Sequence, residues 1–224
     1  MATQFTGNDK ANLLSTALEA NSGDNIAITS TSDAVAQGLD GKDTIVLGKN
    51  VSSFTASGGV DADTILVSGN ATGSDIQGNR GDDTIRVTGQ LTSTAVKGGL
   101  NADTIHISND LTSSSVFSGD GNDTITFDKN TADITGSLFQ DGSDNNKFTI
   151  TSQGFTESTV NGGTGIDEIT LTVGNGIKDS SIQAGSSSDK VTINAGITRT
   201  AVAGDSGNDE TVITGAVQAS TVYG

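Results

Sequence analysis

The sequence contains no cysteine, no proline and no tryptophan, and its 224 residues include a single histidine. Without cysteine the chain has neither disulfide bonds nor thiolate metal ligands. Only 11 residues are lysine or arginine, against 27 aspartate and glutamate residues, and the formal net charge is −16. Because binding to nucleic acid or to an anionic membrane needs clustered basic residues, we expect neither as a partner, whereas cations are natural counter-species.

Long apolar runs are also missing. No stretch approaches the length of a transmembrane helix, and residues 1–20 show neither the basic start nor the apolar run of a signal peptide, so we expect no membrane insertion and see no N-terminal signal peptide. Leu, Ile, Val and Phe make only 51 of the 224 residues. Such a composition is close to that of disordered acidic chains, which are the alternative to a repeat architecture that buries a thin core between stacked units.

The chain repeats itself with a period of about 20 residues. Residues 38–47 (GLDGKDTIVL) return as residues 58–67 (GGVDADTILV), and further copies follow. In each unit a pair such as Ile45 and Leu47 alternates with solvent-type residues, which is typical of a half-buried strand. A second apolar pair follows, such as Leu91 and Val96, and predicts a second short strand.

Residues that tolerate a left-handed backbone separate these two apolar pairs, among them Gly48, Gly69 and Gly89, and predict a tight corner there. Units of this kind stack edge to edge at a strand spacing of about 4.8 Å. We therefore predict an all-β fold, a parallel β-solenoid of about ten coils with two short strands each. Residues 22–224 would form this solenoid, as one segment of a longer array or assembly. Residues 1–21 would form an N-terminal cap, with one helical face over residues 10–20, or an irregular first coil.

A glycine-rich corner precedes the first strand of each unit and ends in an acidic residue. The corners read GNRGDD at 78–83, GGLNAD at 98–103, SGDGND at 118–123 and GGTGID at 162–167. This pattern resembles the calcium-binding nonapeptide GGxGxDxUx of RTX-type β-roll proteins. The resemblance implies that corner carbonyls and carboxylates of successive coils hold Ca²⁺. The ligands it implies are Asp43, Asp63, Asp83, Asp103, Asp123, Asp167, Asp189 and Asp209.

The residues themselves support this interpretation in part. The two-residue period of a strand places Asp43 in the same inward phase as Ile45, so the aspartates form an inward column. Neighbouring carboxylates about 5 Å apart repel by roughly 1 kcal/mol even in water, and a hard cation would relieve this repulsion. The alternative is that each aspartate accepts backbone N–H groups in an Asx-type turn.

Three features depart from the RTX pattern. The motif appears once in about 20 residues, so at most one edge of the solenoid could bind metal. Asn146 replaces the aspartate in the loosest unit. The fourth corner position alternates between glycine and a polar residue, as in Gly41, Asp61 and Gly81, which doubles the period to 40 residues.

Catalytic patterns are not evident. His106, the only histidine, lies in the outward phase of a strand, and the arginines Arg80, Arg86 and Arg199 are far apart in sequence. We therefore expect no enzyme; a polysaccharide-acting β-helix enzyme is a remote alternative.

The sequence predicts a structural or adhesive rod of an extracellular fibre, a cell-surface layer or a virion appendage resembling a phage tail fibre, with calcium as a candidate cofactor. A calcium-responsive RTX-like module of a secreted protein is the alternative. The edge at 217–222 has apolar residues in the inward phase and no proline or charge to protect it. We expect self-association or a neighbouring structural protein at the solenoid ends, and a surface carbohydrate or receptor as a further partner.

Overall fold

The structure, a computed structural model, describes residues 3–5, 13–14, 25–28, 32–33 and 35–224. All regular secondary structure in these ranges is β, and the strands wind into a parallel β-solenoid of about ten coils, which confirms the predicted fold class. Equivalent residues of successive coils are 20 apart through most of the rod and 23 apart at the loosest coil, where Thr124 pairs with Lys147. No helix in the described ranges is both long and apolar enough to cross a membrane.

The strands of the described residues are, in chain order, β1 (Thr3–Phe5), β2 (Leu13–Leu14), β3 (Asn25–Ile28), β4 (Val35–Asp40), β5 (Thr44–Leu47), β6 (Val51–Ser52), β7 (Thr55–Val60), β8 (Thr64–Val67), β9 (Ala71–Thr72), β10 (Asp75–Arg80), β11 (Thr84–Val87), β12 (Leu91–Thr92), β13 (Ala95–Leu100), β14 (Thr104–Ile107), β15 (Leu111–Thr112), β16 (Ser115–Asp120), β17 (Thr124–Thr135), β18 (Leu138–Gln140), β19 (Lys147–Thr156), β20 (Thr159–Asn161), β21 (Glu168–Val173), β22 (Ile177–Lys178), β23 (Ser181–Ser186), β24 (Lys190–Asn194), β25 (Ile197–Thr198), β26 (Ala201–Ser206), β27 (Glu210–Ile213), β28 (Val217–Gln218) and β29 (Thr221–Tyr223). One sheet, which we call sheet 2, contains 11 of them: β2, β4, β7, β10, β13, β16, β18, β20, β23, β26 and β29. The other 18 form sheet 1.

Each regular coil has three strand segments rather than two. In the coil that begins with β11, the predicted second strand is divided, because Leu91 lies in β12 of sheet 1 and Val96 lies in β13 of sheet 2. The chain turns between them at Ser93, whose φ is 50°. The left-handed corner therefore lies at Ser93. The sequence pattern had predicted it at Gly89, and at Gly69 in the preceding coil.

The glycines at 69 and 89 have a different physical reason. Neither has a positive φ, and each lies between two strands of the same sheet. A Cβ atom built on Gly89 would lie 2.0 Å from the carbonyl oxygen of Gly69 in the preceding coil. Glycine is required at Gly89 because the coils stack too closely for a side chain.

The core is a thin layer between the two sheets, as the alternation predicted. Ile85 and Val87 are fully buried, and Ile85 stacks in register between Ile65 and Ile105. The outward Thr84 is exposed. In the wider coils phenylalanines fill the interior, and the rings of Phe139 and Phe155 stack with centroids 6.5 Å apart.

Part of the predicted N-terminal cap lies within the described residues. Thr3–Phe5 pairs with β3, and Leu13–Leu14 pairs in parallel with Val35 and Ala36 of β4. Both segments extend the sheets by one strand. The rest of the range 1–21, including most of the segment for which a helical face was predicted, lies outside the described residues.

The 40-residue alternation at the corners has a backbone origin. In the four corners between residues 39 and 101, two residues of positive φ lie two positions apart, and adjacent coils exchange which of the two is glycine. The corners at 119–121 and 163–165 have glycine at both positions. Asp61 has a φ of 76° and Gly81, its equivalent in the next coil, has 126°. A Cβ atom on Gly81 would lie 2.0 Å from the carbonyl oxygen of Asp61, and one on Gly99 would lie 2.0 Å from that of Asn79. A polar residue with a left-handed backbone thus places its carbonyl oxygen against the equivalent residue of the next coil, and only glycine fits at that residue.

Candidate functional site

The predicted aspartates line up in one column at the corner between sheet 2 and sheet 1. Each lies one residue before a four- to six-residue strand of sheet 1 or before the long strand of a wider coil, as Asp83 lies before β11. The inward orientation was predicted correctly. Asp43, Asp63, Asp83, Asp103, Asp123, Asp167 and Asp189 are buried, and Asp209 in the last coil is half-buried.

From Asp63 to Asp209, one carboxylate oxygen of each aspartate accepts a hydrogen bond from a backbone N–H of the preceding coil. The N–H of Asp63 donates to Oδ1 of Asp83 at 2.7 Å, and the N–H of Asp83 donates to Oδ1 of Asp103 at 2.8 Å. The same bond recurs from Asp43 to Asp209 at 2.6–2.9 Å. The aspartates therefore accept backbone N–H groups, but the donor lies in the neighbouring coil and not in the same turn.

The second oxygen, Oδ2, faces a glycine five residues earlier in the chain. A Cβ atom built on Gly78 would lie 2.2 Å from Asp83 Oδ2, and one on Gly98 would lie 2.4 Å from Asp103 Oδ2. In these coils the first glycine of the corner leaves room for the carboxyl group, whereas Asp123 and Asp189 have Ser118 and Ala184 at that position. Oδ2 is buried and has no hydrogen-bond partner among the described residues in Asp63, Asp83, Asp103, Asp189 and Asp209.

Burial makes the charged form of these carboxyls unfavourable. Desolvation is the largest cause of raised pKa values along the column, and the charges of neighbouring aspartates add to it at most positions, while the backbone N–H bond opposes it. The pKa is raised to about 7 for Asp63, about 6 for Asp83, about 8 for Asp103, about 6 for Asp123 and about 7 for Asp167, and it is also raised for Asp189.

In the loosest coil the buried carboxyl group has moved to a different position of the corner, which sequence reasoning missed. Asp141 occupies the corner position that is glycine in most coils, while Asn146 occupies the aspartate position. The Asn146 Nδ2 group donates to Asp141 Oδ2, and the Ser118 hydroxyl donates to Asp141 Oδ1. Burial raises the pKa of Asp141 to about 8. The sequence feature that could have revealed this exchange is an aspartate, Asp141, five residues before Asn146.

A second column, of serine and threonine, lies at the other corner and was also missed. The N–H of Thr94 donates to Ser114 Oγ at 3.1 Å, and this hydroxyl donates to the carbonyl oxygen of Thr112 at 2.9 Å. Most coils repeat the pattern, and its signal in the sequence is a hydroxyl residue at the coil period. The members of this column are Ser74, Thr94, Ser114, Ser137, Ser158, Ser180, Thr200 and Ser220.

The aspartate column does not fit the calcium site that the RTX resemblance implies. Calcium takes six to eight oxygen ligands. Here Oδ1 accepts a backbone N–H, as in Asp103, and in most coils Oδ2 lies beside the side-chain space of a corner glycine, so no carboxylate offers both oxygens to a metal ion. No three histidine or acidic side chains of the described residues are grouped to hold a metal ion.

His106 lies on the outer face of sheet 1 and is half-buried. Arg86 Nη1 lies 2.9 Å from its Nδ1, and Asp128 Oδ1 lies 2.8 Å from its Nε2. Because an arginine can only donate, Nδ1 accepts and Nε2 carries the proton. The three residues connect three successive coils. Nδ1 is hydrogen-bonded to Arg86, whereas Nε2 lies within ion-pair distance of Asp128 without the geometry of a hydrogen bond.

Comparisons with known proteins add no family to this description. No protein-family model matches the chain, and no curated protein or solved structure matches it. The functional argument therefore depends on the fold and on the geometry of its columns.

Proposed function

We propose that the chain is a non-enzymatic structural or adhesive rod of an extracellular fibre, a cell-surface layer or a virion appendage. The observation that carries this proposal is the continuity of three axial ladders, the aliphatic core, the aspartate column and the hydroxyl column, through the successive coils. Hydrogen bonds and stacked side chains connect each coil to the next, which suits a load-bearing element. Ten coils at strand spacing give a rod roughly 45–50 Å long.

Immunogold labelling of the native cells or particles tests this function. We expect the label on filaments, on a surface layer or on an appendage. Label confined to a freely soluble fraction would contradict the proposal and favour the secreted, calcium-responsive RTX-like module. That alternative has less support than the structural rod, because the aspartate column does not fit a calcium site.

An enzymatic role has little support from the geometry. The buried carboxyls face the interior of the rod, and the ring of His106 is half-buried, with Arg86 hydrogen-bonded to Nδ1 and the Asp128 carboxylate 2.8 Å from Nε2. A general base needs a free nitrogen or carboxylate within reach of a substrate.

An adhesive role has one supporting feature on the outer face of sheet 2. A depression of about 330 Å³ is lined by Gln77, Asn79, Arg80 and Lys97. Gln77 and Lys97 donate to Asp75, and Asn79 donates to Ser57, which leaves Arg80 as the donor that a hydroxyl or acidic group of a carbohydrate would meet. The depression is the place where we propose contact with a surface carbohydrate or receptor.

The ends of the rod are the places where we propose contact with further copies. At one end β1 and β2, and at the other end β28 and β29, pair on one side only among the described strands. Val222 lies in register with the buried Val202, yet 44% of its surface is exposed. Because the two ends differ, a copy placed end to end makes a heterologous contact that generates an open filament.

The variant Val222→Asp tests this contact. We expect it to weaken end-to-end association more than tenfold, since a charge would lie in the inward phase of the junction. Sedimentation velocity over a range of concentrations, with electron microscopy, measures the effect. Ile166→Asp, at an exposed residue away from both ends of the rod, is the control and should associate like the wild type. A wild-type chain that stays monomeric throughout, or equal losses in both variants, would refute the contact.

A further inference from the structure

We propose that the aspartate column joins successive coils without a bound divalent cation. It is a metal-independent ladder in which each side chain supplies one oxygen acceptor to a backbone N–H of the preceding coil. Asparagine is then equivalent to aspartate at every position of the column. This inference is independent of the proposed function, because a rod of either kind could be structural or adhesive.

The first argument is the use of Oδ1. In a calcium-bridged column the carboxylate oxygens would be metal ligands, whereas here each Oδ1 accepts a backbone N–H, as Asp103 Oδ1 does from Asp83 at 2.8 Å. Such a bond joins two coils without an ion. It also satisfies a buried N–H group that would otherwise cost stability.

The second argument is the environment of Oδ2. The point 2.4 Å from Asp103 Oδ2, where a Cβ of Gly98 would lie, is also 2.4 Å from the carbonyl oxygen of Ser118 in the next coil. Both oxygens therefore border the side-chain space that glycine leaves open at position 98. A proton-bearing group at Oδ2, such as a protonated carboxyl or the amide of asparagine, would face this carbonyl acceptor.

The third argument is the natural exchange at Asn146. Its Oδ1 accepts the N–H of Asp123 at 2.6 Å, so the ladder continues through it unchanged. Its Nδ2 donates to the carbonyl oxygens of Ser143 and Asp144 of its own corner, each at 3.0 Å. The position thus requires an acceptor toward the preceding coil and tolerates a donor toward the corner, and it does not require a charge.

This geometry has a consequence for where the chain can fold. A structure whose stability depends on bound metal is unfolded wherever that metal is scarce, because the binding free energy is part of the folding free energy. A ladder of side chains and backbone N–H groups has no such dependence. The rod is therefore expected to fold in a calcium-poor compartment.

The test uses the full chain at neutral pH, in millimolar calcium and in chelator, with three variants. Asp103→Asn keeps the acceptor, Asp103→Ala removes it, and Asp40→Asn removes one charge at an exposed residue of β4 as a control. We expect the wild-type melting temperature to be the same in both media and calorimetry to detect no calcium binding. Asp103→Asn should melt no lower than the control, while Asp103→Ala should melt about 4 °C lower because the Asp83 N–H loses its acceptor.

Other outcomes would overturn the inference. A wild-type melting temperature raised by calcium, with the rise lost in Asp103→Asn, would show a calcium-bridged column. Equal losses for Asp103→Asn and Asp103→Ala in chelator would show that the acceptor oxygen is not what the position requires. Immunogold labelling is unaffected by either result, so failure here is distinguishable from failure of the proposed function.

Discussion

Between pH 5 and pH 8 the melting temperature of the rod is expected to fall by about 10 °C as pH rises, the reverse of the usual behaviour of aspartates. Most folded proteins pair their carboxylates with cations or N–H groups, which lowers the pKa of those carboxyls. In this column burial dominates and raises the pKa of Asp103, for example, from 3.8 to about 8. The folded chain therefore holds protons that the unfolded chain releases.

The sign follows from the two sets of pKa values. Below pH 3.8 the carboxyls are protonated in both states, and their full contribution to stability is present. As pH rises toward the folded pKa values of about 6 to 8, the unfolded state ionises first, and stability is lost through this window. One pKa unit corresponds to about 1.4 kcal/mol, so one effective unit at three positions gives about 4 kcal/mol, or roughly 10 °C for a chain of this size.

Thermal melts followed by circular dichroism, in chelator and at constant ionic strength, measure this slope. Asp103→Asn should show a shallower dependence on pH, since one group with a raised pKa is absent. Asp40→Asn has the same change of charge at an exposed position and should keep the wild-type slope. A melting temperature that is flat or rises between pH 5 and pH 8 would show that the column stays ionised in the folded rod.

The fold could be predicted because repetition constrains it. Once Ile65, Ile85 and Ile105 are recognised as equivalent, the two-residue period of a strand decides which side chains face inward, and stacking decides the parallel direction. The same reasoning placed Asp83 and its equivalents in a buried column, and the structure agrees.

The details that escaped prediction depend on contacts between coils. Sequence equivalence shows which residues share a column, but not that Asp103 Oδ1 binds the N–H of Asp83 while Oδ2 faces Gly98. The position of the corner at Ser93 escaped for a related reason. Serine has only a weak preference for a left-handed backbone, whereas Gly89 suggested a turn although its role is to make room for the coil beside it.

Substitution of the core isoleucine is expected to destabilise the rod strongly. Ile85→Ala should cost about 2–4 kcal/mol, through lost transfer free energy and a residual cavity. The side chain of Ile85 is fully buried, and the coils above and below hold Ile65 and Ile105 at the same position. These neighbours are fixed by strand pairing on both sides, so the site cannot collapse readily around an alanine.

The adjacent Thr84→Ala is the matched control, because Thr84 lies in the same strand, in the same paired register, with its side chain exposed. A surface change of this kind should cost less than about 0.5 kcal/mol. Urea unfolding of the two variants and the wild type, followed by circular dichroism, gives both differences in the free energy of unfolding. Comparable losses would mean that the inward and outward faces of sheet 1 contribute alike. The thin core could then not be the main source of stability, and the columns at the two corners would have to supply it.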